Sequence, residues 1–105
     1  MKEGVLPGIF ERVMSEAGFV LEMCSGKAAW TIIPSDNITI DLDAVTKRIE
    51  EAGWNCTIRN RLCNIFIGKA GLTLFPSGRL LVKSGDEELA RKIGALHVET
   101  WLADI

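Results

Sequence analysis

The chain has 105 residues, 48% hydrophobic and 25% charged, and its 12 Lys/Arg against 14 Asp/Glu leave a formal net charge of −2. This is the composition of one ordinary globular domain, 1–105, able to bury roughly 65% of its unfolded surface without metal or disulfide, rather than of a disordered chain. The longest apolar runs, 65–67 and 72–75, are strand-length rather than the ~20 residues of a membrane span, and Met1-Lys2-Glu3-Gly4 shows no secretory pattern, so a cytoplasmic, non-membrane protein is expected.

Pro7 is followed by Ile9, Phe10, Val13, Met14 and Ala17, the i, i+3, i+4 spacing of a short amphipathic helix that Gly18 would end. Two-residue alternation then predicts strands over 19–24, 28–33 and 37–40, with Pro34-Ser35-Asp36-Asn37 as the turn before the third. Asp41 or Asp43 can cap a second helix whose apolar positions are Leu42, Val45, Ile49 and Ala52, closed by Gly53. Strands over 54–60, 62–68, 72–75 and 79–84 follow, the last two joined through Pro76-Ser77-Gly78. A third helix begins after Ser84-Gly85, with Asp86, Glu87 and Glu88 against the positive end of its dipole, and turns Leu89, Ile93, Leu96 and Trp101 inward.

A helix-then-sheet unit is used twice. GKAAWTIIPSDNITI at 26–40 is echoed by GKAGLTLFPSGRLLV at 68–82, and Glu16-Ala17-Gly18-Phe19 by Glu51-Ala52-Gly53-Trp54. The hairpins are offset further than the upstream echoes by about one strand's length, so the second unit holds an extra strand. The expected fold is α+β: an antiparallel sheet of about seven strands with helices on one face, in the order α-βββ-α-ββββ-α. The units are 5–40 and 42–84, completed by a C-terminal helix over 86–103.

Alternation also sorts the second unit into two faces. Trp54, Cys56, Ile58, Cys63, Ile65, Ile67, Leu72, Leu74, Leu80 and Val82 make an apolar face to lie under the helices. The opposite face carries Asn55, Thr57, Arg59, Leu62, Asn64, Phe66, Thr73, Phe75, Arg79, Leu81 and Lys83, with Arg61 beside it. Two phenylalanines among amides, hydroxyls and cations suit contact with something large and partly apolar. From 54 to 84 there are five bases, Arg59, Arg61, Lys69, Arg79 and Lys83, and no acid, so a basic sheet is backed by acidic helices.

No set of residues completes a catalytic site. His97 is the sole histidine, with no nucleophile or carboxylate placed beside it; Asp41 and Asp43 are accounted for by capping. Gly26-Lys27 and Gly68-Lys69 lack the frame of a phosphate-binding loop and precede strands. Cys24, Cys56 and Cys63 form no CxxC pair and read as reduced structural thiols; a metal site completed by His97 would lack the local pairing that such ligands show. No cofactor and no metal are expected.

The stretch 41–102 resembles one half-repeat of the TATA-box binding protein fold. Helix, four antiparallel strands and a long helix follow in that family's order, and Leu72-Thr73-Leu74-Phe75-Pro76-Ser77-Gly78-Arg79 is similar to its Leu-Ile-Phe-x-Ser-Gly-Lys hairpin. Ser84-Gly85-Asp86-Glu87-Glu88-Leu89-Ala90-Arg91 is similar to its turn into the long helix. The resemblance implies that Phe75 and Leu62 occupy wedge positions against a DNA minor groove, with Asn55, Thr57, Asn64 and Thr73 similar in type to groove-reading residues. One chain this short cannot build the two-lobed saddle, which a homodimer would restore. The segment 72–91 bears a weaker similarity to C-terminal extensions of sulfur-carrier-protein adenylyltransferases.

The expected function is a small non-enzymatic binding module. Its partner is an unidentified protein or a second copy, docked on the exposed sheet face or an edge. The alternative is a nucleic-acid-binding module that sets Arg59, Arg61, Arg79 and Lys83 on phosphates and Phe66 and Phe75 on bases.

Overall fold

The computed structural model describes residues 13–16, 18–23, 29–35 and 38–103. β1 (Val13–Glu16), β2 (Phe19–Met23) and β3 (Trp30–Pro34) come first, followed by α1 (Leu42–Glu51). Next, β4 (Asn55–Arg59), β5 (Asn64–Ile67), β6 (Gly71–Leu74) and β7 (Leu80–Lys83) form a meander, followed by α2 (Glu87–Leu96) and a π-helical turn, His97–Trp101. The fold is α+β with an antiparallel sheet ordered β1-β2-β3-β7-β6-β5-β4. The chain leaves β3, crosses to the far edge through α1, and works back until β7 lies beside β3.

β2 to β7 coincide with six of the predicted strands to within two residues. The other prediction, 37–40, is corrected over its described part: Ile38 to Ile40 is not a strand, although the Ile40 N–H donates to the Pro76 carbonyl at 2.8 Å. Pro34 ends β3, and its turn partners Asp36 and Asn37 lie outside the described residues. Most of the predicted first helix also lies outside them, and its remainder, Val13–Glu16, is a strand. Glu16 stands opposite Phe19, so Gly18, at φ +87°, serves a hairpin rather than a helix end.

The helices at 42 and 87 form for the anticipated reasons. Asp41 accepts from the Asp43 and Ala44 N–H groups at 3.0 and 3.4 Å, satisfying donors that the first turn cannot, and Gly53 at φ +112° follows the last turn of α1. Asp86 accepts from the Leu89 N–H at 3.2 Å. Val45, Thr46 and Ile49 form the buried stripe of α1, and Ala90, Ile93 and Gly94 that of α2. His97 and Trp101 continue the second stripe, whereas Leu96, expected to face inward, is 36% exposed.

Sheet and helices share one core. Phe19, Leu21, Trp30, Ile32, Phe66, Leu72, Leu74, Leu80 and Val82 from the sheet meet Val45, Ile49, Ala90, Ile93 and Trp101 from the helical segments. Trp54, ahead of β4, donates its indole N–H to the Ala70 carbonyl at 3.0 Å and sets its ring edge-on to Trp101 at 5.6 Å. Thr46 on α1 bonds Asn64 on β5, and Gly94 on α2 abuts Phe19 on β2, so both helices cover the same face of the sheet.

Candidate interaction face

The face turned away from the helices is set by the pairing register. Directly opposed residues share a face, so one row runs Glu22, Thr31, Leu81, Thr73, Ile65, Ile58 across six strands. Beside it Val20 pairs with Ile33, and Asn55 with Ile67. The centre is apolar and half-buried at Ile65 and Leu81, while Ile58 and Ile67 near the β4 edge are 48% and 54% exposed. Thr73 is buried on this face because Ile65 and Leu81 flank it directly.

This register corrects the predicted sorting of β4 and β5. Asn64 and Phe66 lie under the helices, where Phe66 is fully buried, and Ile65 and Ile67 take their places outside. A one-residue slip moves every side chain of a strand across the sheet. Here local chemistry fixes it: the Asn60 side chain accepts from the Leu62 and Cys63 N–H groups at 2.8 and 3.0 Å, shaping the turn into β5. Asn64 can then be buried because Nδ2 donates to Thr46 Oγ1 at 2.7 Å and Oδ1 accepts from the Asn60 N–H.

In β4 a bulge does the rearranging. Cys56 faces Phe66 and Ile58 faces Ile65, which leaves Thr57 as the extra residue, its hydroxyl donating to the Ile65 carbonyl at 3.3 Å. Past the bulge, Ile58 turns outward and Arg59 turns to the helix side. There Arg59 meets Glu50 at 3.2 Å and Asp43 at 3.8 Å, so it is not a cation of the outer face.

The other expected site residues keep their side. Asn55, Thr73, Leu81 and Lys83 are on outer-face rows, Arg61 and Leu62 are exposed in the β4–β5 turn, and Leu62 is 78% exposed. Phe75 and Arg79 flank the β6–β7 turn, in which the Phe75 N–H donates to Arg79 O at 3.0 Å and the Gly78 N–H to Phe75 O at 2.9 Å. With Thr31, Pro76, Ser77 and Leu81 they line an open groove of about 590 Å³. Ile58, Ile65, Ile67, Val20 and Ile33 belong to the same face and were not picked out from the sequence. The signal for the share of β3 was present: Thr31 and Ile33 alternate with the core residues Trp30 and Ile32.

Arg61, Lys69, Arg79 and Lys83 are exposed and have no ion pair among the described residues, and Glu22 is an exposed acid on the same face. A second hollow, about 320 Å³, lies between the start of α1 and the β4–β5 turn and mixes Asp41 and Asp43 with Arg59 and Arg61. Its groups largely answer one another: Asp41 is spent on capping, and Arg59 on its carboxylates.

Among the described residues no group of three His, Cys, Asp or Glu side chains could hold a metal ion. Cys56 and Cys63 are half-buried free thiols, and Cys24 lies outside the described residues. Burial raises the Cys56 pKa, with Arg59 pulling the other way, which disfavours a reactive thiolate. His97 is buried in the core with Nε2 on the Gly78 carbonyl. No described helix is long and apolar enough to cross a membrane. No family model, curated protein or solved structure matches the chain.

Proposed function

We propose that this chain is a non-enzymatic protein-interaction module that docks its partner on the outer face of the sheet. The observation that carries the reading is the placement of Ile58 and Ile67, about half exposed, next to Ile65 and Leu81 in one continuous surface. Isoleucines exposed side by side on one face, unlike apolar residues scattered singly, are the mark of an interaction surface. The face is preferred over the β4 edge because the bulge at Thr57 breaks the ladder that an added strand would need.

The test compares proteins recovered in fixed stoichiometry with the tagged chain and with its Ile58→Glu and Ile67→Glu variants, after matched urea midpoints confirm folding. A partner held by the native chain and lost from both variants supports the module. Equal recovery from all three rejects it. Light scattering after gel filtration identifies the case in which the partner is a second copy.

A nucleic-acid module is the second reading, favoured by Phe75, Arg79 and Lys83 at the same face. The proposed likeness of 41–102 to half of the TATA-box binding protein fold would suit this reading. The nucleic-acid reading loses Phe66, Asn64 and Arg59 to the helix side, and with them a stacking ring and a phosphate contact. Anisotropy of labelled duplex and single strands at ~50 and ~200 mM salt separates the readings, because phosphate contacts weaken steeply over that range.

A further inference from the structure

Resting on the proposed docking face, we infer that its occupant is an acidic segment of another protein, with an apolar side chain in the groove between β3 and the β6–β7 turn and carboxylates beside Arg79 and Lys83. Charge carries the choice. The groove floor is apolar, from Phe75, Pro76 and Leu81, and Arg79 is its charged wall. Lys83 lies two residues beyond Leu81 on the same face of β7. Arg79 and Lys83 are both exposed without an ion pair among the described residues, whereas Arg59, on the helix side, already has two acids. An apolar floor with open cations at its margin is complementary to apolar side chains flanked by Asp or Glu. The groove's volume, about 590 Å³, is within the range of sites that enclose a ligand, roughly 300–1,000 Å³, and so has room for a large side chain.

The same charges disfavour the other occupants. A two-fold pairing centred on this groove would bring Arg79 and Lys83 of each chain toward the same cations of the other, with Glu22 as the described acid on the face to offset them. A nucleic acid would find Phe75 as the one described phenylalanine on this face, with Ile58, Ile65 and Ile67 toward the β4 edge offering no ring for stacking and Phe66 buried beneath them.

The experiment is anisotropy of a labelled peptide, Gly-Glu-Asp-Phe-Glu-Leu-Asp-Gly, against the intact chain. Comparators are the same peptide with Gln and Asn for its acids, the same with Lys for its acids, and a labelled duplex. The acidic peptide should bind best and lose affinity with salt. Arg79→Glu and Lys83→Glu should each weaken it by about tenfold or more, the scale of a lost or reversed charge pair at an interface. Arg59→Gln, on the other side of the sheet, should leave it within about twofold. Equal binding of the amide or Lys peptide, preference for the duplex, indifference to Arg79→Glu, or no peptide binding would each overturn the inference. If the amide peptide binds equally and Ile67→Glu abolishes both, the acidic occupant falls and the docking face stands. If no peptide binds and Ile67→Glu also leaves partner recovery unchanged, both fall.

Discussion

The buried imidazole of His97 donates from Nε2 to the Gly78 carbonyl at 2.6 Å, tying the end of α2 to the turn between β6 and β7. A carbonyl only accepts, so the ring proton resides on Nε2, and Nδ1 has no hydrogen-bond partner among the described residues. Burial lowers the pKa to about 4, with the Gly78 bond offsetting part of the effect. The turn it holds carries Phe75 and Arg79, so a core contact sets the geometry of the candidate face.

Stability should therefore fall as pH drops from 7 to 5. The unfolded chain takes up a proton near pH 6.5, while folded His97 stays neutral until about pH 4. The contribution is complete above pH 6.5 and is lost toward pH 4; about 2 kcal/mol should be gone by pH 5. Because His97 is the sole histidine, urea denaturation at pH 7 and 5 reads this group directly. His97→Gln should remove most of the difference, and an unchanged difference in that variant would refute the assignment.

The register of β5 can be tested by adjacent substitutions. Phe66→Ala empties a fully buried site and should cost about 3–5 kcal/mol, whereas Ile67→Ala on the outer face should cost about 1 kcal/mol or less. Urea midpoints decide it, and the opposite ranking would place β5 one residue out of register.

That pair also marks where the sequence stops being legible. The six strands β2 to β7 and both helices follow from local signals: alternation, the caps Asp41 and Asp86, and Gly53 after α1. β5 reads Asn64-Ile65-Phe66-Ile67, apolar on both faces, so alternation alone cannot orient it. Its orientation comes from a tertiary partner, Thr46, for Asn64, and from the Asn60 turn. The bulge at Thr57 has no glycine to announce it, and it reverses Ile58 and Arg59. Val13–Glu16 carries a spacing that fits helix, yet pairing with β2 determines its conformation. Phe75, Arg79, Leu81 and Lys83 fall on the side of the sheet that alternation predicts, because the Pro76-Ser77-Gly78 turn fixes the β6–β7 hairpin locally.

Gly94 should resist even the smallest side chain. A Cβ there would lie 2.6 Å from Phe19 Cε2 and 2.8 Å from Cζ, and Phe19 is itself buried. Alanine gains about 1 kcal/mol in helix propensity, but lifting α2 from β2 should outweigh it and leave Gly94→Ala destabilised by about 1–3 kcal/mol. Phe19→Leu in the same chain should recover part of the loss. A Gly94→Ala variant more stable than the native chain would mean that the helix does not sit this close.

Arg48 should control the order of the C-terminal turn. Its Nη1 reaches the carbonyls of Thr100, Trp101 and Ala103 at 3.2, 3.0 and 2.6 Å, acceptors left open where a helix ends. Nη1 has two hydrogens for three acceptors, so at least one bond is shared, and together they anchor the turn bearing Trp101 to α1. Arg48→Met keeps much of the apolar stem and removes every donor; it should cost about 1.5–3 kcal/mol, the range for hydrogen bonds to a charged group. Amide exchange locates the effect. Protection at Leu102, which donates to His97 O at 2.8 Å, should fall more than protection within α1. A uniform loss across both helices would instead show that Arg48 stabilises the whole fold and not this turn in particular.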